Sequence, residues 1–71
     1  MDFSDITVSA DGSVVVRGPA EFVGQIDWAR VERTALLFAP FCATAELAIK
    51  QAIWSQYTAW HGARTLLGAL R

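Results

Sequence analysis

The sequence predicts an α+β fold that is mostly α. An N-terminal β-hairpin packs on an antiparallel helical hairpin, in the order ββαα, and two chains pair as a dimer. Three observations predict it. Ile6, Val8, Val14 and Val16 flank an Asp11-Gly12 turn signal. Apolar residues then recur at helical spacing from Trp28 to Leu70, interrupted at Pro40. Finally, 71 residues of 54% apolar composition form one small domain with more apolar surface than a core of that size hides.

The hairpin is assigned to residues 3–18. A two-residue loop would set Ile6 opposite Arg17, a charge against a core residue. A three-residue loop, Ala10-Asp11-Gly12, pairs Ile6 with Val16, Thr7 with Val15 and Val8 with Val14, and sets Asp5 opposite Arg17. Opposed residues share a face, so Ile6, Val8, Val14 and Val16 form one apolar side. The three-residue loop is therefore expected, with Gly12 in the left-handed conformation. An isolated hairpin is barely stable in water, so this one lies on the helices as a lid.

Gly18-Pro19 ends the second strand, and proline suits a first helical position. The first helical segment is assigned to residues 19–39, with Asp27 as N-cap of its main part. Trp28, Val31, Ala35, Phe38 and Cys42 fall on one stripe, with Arg30 and Arg33 opposite. Pro40 removes a backbone hydrogen bond and clashes with the preceding turn, so a break is expected there rather than a kink. Thr44 is the next N-cap, Glu46 lies in the first turn, and the second helix is assigned to residues 44–70. A short connection between two helices predicts antiparallel packing.

The second helix carries two faces. Ala45, Ile49, Ala52, Ala59, Ala63 and Leu66, with Trp60 flanking them, mark a stripe of 3.5-residue period, rich in small residues, on which another helix could approach closely. This stripe is the expected self-association surface. Opposite it stand Leu47, Trp54, Tyr57, Thr58 and His61. They pack under the hairpin or form an exposed aromatic patch that anchors a protein partner, and the second reading makes them the partner-binding set. Gly62 and Gly68 weaken the helix or mark close approach by another backbone.

The chemistry-bearing residues are sparse. One cysteine and one histidine leave no internal disulfide and no four-ligand zinc site, so no metal is expected. Cys42 lies on the core stripe and reads as a small buried hydrophobe. His61 has no carboxylate near it in sequence, and Glu46 with Lys50 reads as an ordinary i, i+4 helix pair. No phosphate-binding glycine loop or metalloprotease motif occurs, and no cofactor or catalytic residue is assigned.

The formal net charge is −1, with a net +2 confined to residues 41–71. Arg64 and Arg71 beside Trp60 make only a thin case for nucleic-acid binding. The acidic start, MDFSD, predicts no signal peptide, and no apolar run reaches the ~20 residues of a bilayer span. A cytoplasmic location is expected, and a membrane-surface role is disfavoured by the few basic residues. The expected function is a small non-enzymatic protein–protein interaction module, an adaptor or inhibitor of a larger complex, of the kind phages and mobile elements carry. A structural or assembly subunit is the alternative, and a weak nucleic-acid binder is third.

Overall fold

The computed structural model describes residues 1–70. A 3₁₀ turn, Phe3–Asp5, leads into strands β1 (Ile6–Val8) and β2 (Val14–Val16). One turn of helix follows, α1 (Ala20–Val23), then α2 (Trp28–Phe38), a 3₁₀ turn Ala39–Phe41, and the long helix α3 (Ala45–Ala69). The described chain is thus mostly helical with one two-stranded antiparallel sheet.

The strands pair in the register the apolar pattern demands: Ile6 with Val16, Thr7 with Val15 and Val8 with Val14. The ladder continues at both ends, where Arg17 N–H donates to the Asp5 carbonyl (2.7 Å) and Ser9 N–H to that of Ser13 (2.8 Å). Residues 10–12 are therefore the loop. Gly12 sits at φ +90°, where a Cβ is strained. The Ser13 N–H donates to Asp11 Oδ1 at 2.9 Å, and this hydrogen bond holds the Asp11 carboxyl below its usual range. Asp11 therefore stabilises the turn above the ordinary carboxylate range, and that contribution is lost as pH falls through the lowered value.

The first helical segment differs from the single 19–39 element expected. Helix α1 lasts one turn, because Gly24 follows it and Asp27 then takes an extended conformation. Asp27 caps α2 as expected, its side chain accepting from Arg30 N–H at 3.1 Å. The break at Pro40 is also present: α2 stops at Phe38 and the proline sits in the 3₁₀ turn. Thr44 then caps α3, its hydroxyl accepting from Leu47 N–H at 3.1 Å. Glu46 and Lys50 pair at 3.2 Å.

Helices α2 and α3 run antiparallel. The turn at residues 39–44 joins the end of α2 to the start of α3, and Gln56 Nε2 donates back to the Asp27 carbonyl at the start of α2 (3.1 Å). Val31 and Ala35 of α2 meet Ala48 and Ala52 of α3, small residues that let the backbones approach. Ile6 from the hairpin, Phe22 from α1 and Ile53 from α3 complete the buried core. Cys42 packs against it but is half-buried, less than the buried hydrophobe its place on the stripe suggested.

Replacing Gly12 with alanine is expected to lower unfolding stability by about 1 kcal/mol in urea titration, through backbone strain alone. Phe22→Ala is expected to cost about 3–5 kcal/mol, a large share of what a domain this small has.

Candidate functional site

The side chains on the outer faces of α3 divide at Gln56, where α2 begins beside it. Up to that level the 3.5-residue stripe faces α2. Ala52 is fully buried in the chain's own core, so this member of the expected self-association set is not on any surface. Ile49 is half-buried, and Ala45 is exposed beside the 3₁₀ turn. Beyond Gln56 the stripe has no such cover. Ala59, Ala63 and Leu66 are exposed, and Trp60 is half-buried against Phe22 (ring centroids 5.4 Å). Leu66, Leu67 and Leu70 are 63%, 61% and 77% exposed.

Of the expected partner-binding set, Trp54, Tyr57 and His61 form an aromatic row that the chain partly covers itself. Phe3, in the 3₁₀ turn ahead of β1, meets Trp54 edge-on at 6.2 Å. Trp54 stacks on Tyr57 at 5.5 Å, and Phe22 meets Tyr57 edge-on at 5.1 Å. Leu47, Trp54 and Tyr57 are accordingly half-buried, while Thr58 and His61 are exposed. The Thr58 hydroxyl is occupied within the helix, donating to the carbonyls of Ser55 (2.9 Å) and Trp54 (3.1 Å). His61 lies 5.8 Å from the Tyr57 ring and continues the row. The aromatic cover on Trp54 comes from Phe3, in the turn ahead of β1.

Arg64 is engaged within the chain. Its Nη1 donates to Glu21 Oε2 at 2.8 Å, and its guanidinium carbon lies 5.3 Å from the Trp60 ring centroid. This ties α1 to the second half of α3, a weak link because both side chains are well exposed. The arginine pair considered for phosphate contact is therefore reduced: Arg64 already has a carboxylate partner, and Arg71 lies outside the described residues. Gly62 and Gly68 mark no close approach within the chain, since a Cβ at either would meet nothing within 4 Å.

Sequence reasoning missed one surface. Leu36, Leu37 and Phe41 stand at the C-terminal end of α2 and are 70%, 72% and 86% exposed. Leu36 also walls an open groove of about 420 Å³ between α2, α3 and the hairpin loop. Trp28, Ala39, Val14 and Ile49 line it too, with Glu32 its only charged group. The signal was present as the run Ala35-Leu36-Leu37-Phe38, in which a helix cannot turn every side chain inward. No cluster of three or more metal-ligating side chains occurs among the described residues, and none of their helices is long and apolar enough to cross a membrane.

Comparison with known proteins finds no matching family model, no matching curated protein and no matching solved structure.

Trp54→Ala is expected to lower stability by about 1–3 kcal/mol, less than a fully buried tryptophan, because it removes the contacts to Phe3 and Tyr57. Chemical denaturation followed by far-UV circular dichroism measures it; an unchanged midpoint would show that the aromatic row adds nothing to the fold.

Proposed function

We propose that this protein is a non-enzymatic protein-binding module, an adaptor or inhibitor that docks on a larger protein through the C-terminal end of α2. The observation that carries the reading is the groove walled by Leu36, with Leu37 and Phe41 exposed at the same end of the helix. Large apolar side chains held this openly, next to a concave apolar surface, are what a protein-binding site presents. Phe41 is an aromatic anchor on a short turn, fixed in place by the adjoining Pro40. Glu32 at the groove favours a partner segment that is apolar and carries one basic residue. The sparse chemistry agrees: Cys42 is packed against the core, and His61 lies beside the Tyr57 ring.

The assembly-subunit reading shares this surface and differs in solution behaviour. A subunit of a larger particle aggregates or stays insoluble without its neighbours; an adaptor or inhibitor stays a discrete species.

The double substitution Leu36→Asp, Phe41→Ser tests the site. Both positions are exposed, so the melting temperature is expected to stay within a few degrees of wild type. A protein recovered from native lysate on the wild-type chain, and shown by calorimetry to bind it at fixed stoichiometry, is expected to bind the variant roughly 30-fold more weakly or not at all. Equal binding to both chains would move the site elsewhere.

A further inference from the structure

We propose that the second half of α3 is a dimerisation arm, which pairs antiparallel with the same arm of a second copy. Helix α2 covers α3 only as far as Gln56, yet the stripe runs on through Ala59, Ala63, Leu66 and Leu70 in the 4-3-4 spacing of a coiled-coil seam.

The pattern is self-complementary in one orientation. An antiparallel two-fold centred level with residues 64 and 65 sets Ala63 against Leu66 of the second copy, and Ala59 against its Leu70. Every layer then joins a small residue to a large one, which fills the space evenly. A parallel pair would set alanine on alanine and leucine on leucine, alternating voids with crowding. The flanking positions hold Trp60 and Leu67 on one side and Gly62 and Ala69 on the other. Coiled coils place charges there to select partners; these four positions carry none, and the charges nearest Ala63 and Leu67 are Glu21 and Arg64, already paired with each other. The body offers a seat for the tip of the incoming helix. Ala59 forms part of an open recess of about 270 Å³ with Phe22, Gln25, Asp27, Arg30, Gln56 and Trp60, at the level the second copy's Leu70 reaches.

The surface area agrees with a second copy as the occupant. A monomer of 7.8 kDa ordinarily exposes about 4,400 Å². This chain exposes 4970 Å², roughly 600 Å² more, and its radius of gyration is 12.8 Å against about 11 Å for a compact chain of this length. The excess is that of the whole molecule, the α2 end included; a dimer that buried an equal area on each copy would hide about 1,200 Å² in total, the lower bound for a specific stable interface.

The full chain in a Cys42→Ser background tests this. Sedimentation equilibrium from micromolar to millimolar concentration is expected to show a monomer–dimer equilibrium. Leu66→Asp is expected to raise the dissociation constant roughly 30-fold or more. Chains carrying Ala63→Cys and chains carrying Leu66→Cys, mixed and oxidised, are expected to give mainly the mixed disulfide, because only that pair is opposed. This readout holds even if Leu66→Asp frays the arm. A monomer throughout, a dimer unaffected by Leu66→Asp, or homodisulfides at or above their random share would each overturn the proposal. Leu36→Asp, Phe41→Ser is expected to dimerise as wild type does, which separates failure of the arm from failure of the α2 site.

Discussion

Helix α2 has 11 residues and α3 has 25, so at 1.5 Å per residue α2 covers about 16 Å of a helix about 37 Å long. The rest of the architecture follows from that mismatch. The shared length, from Thr44 to Gln56, is where Val31, Ala35, Ala48, Ala52 and Ile53 form a closed core. The remaining length has only the single turn of α1 beside it. Phe22 is the one large side chain that α1 contributes to the core, and it reaches Tyr57 and Trp60. The molecule is elongated as a result, 43 × 23 × 20 Å, with its apolar stripe continuing past the end of its cover.

The core is economical. Three of its seven fully buried residues are alanines, which allow close helix approach but bury little area each. Ile6, Phe22 and Ile53 supply the bulk, and each comes from a different element. That is why a three-residue strand pair, too short to persist alone, is retained: Ile6 is the part of the hairpin that the core needs. The same brevity protects the sheet, since strands of three residues offer little edge to a stray chain.

The two apolar surfaces left over lie at different places and differ in kind. The groove along α2 is concave and carries Glu32, and Phe41 is exposed in the 3₁₀ turn that follows the helix. The second half of α3 is a straight helical face with no charge on its seam. We propose a different protein as the occupant of the first and a copy of this chain as the occupant of the second. Both surfaces arise because a chain of 71 residues, 54% of them apolar, has too few elements to cover every face it builds.

Local physical chemistry decided much of this in the sequence alone. The strand register followed from keeping Arg17 away from Ile6, the loop from a glycine at positive φ, the ends of α2 and α3 from Asp27, Pro40 and Thr44. The glycine and the three helix-end residues act on their own backbone, and the register depends on pairing within one short hairpin, so no distant contact alters them. What sequence alone could not decide is which face of α3 each neighbour covers. Ala52 and Ala63 occupy equivalent positions on one stripe, yet one is sealed and the other open, because α2 happens to start beside Gln56. Trp54 is half-covered because Phe3 folds back on it, and Leu36 is open because Phe38 and Ala35 take the inward directions. Those outcomes depend on element lengths and on contacts between residues far apart in the chain, which periodicity does not encode.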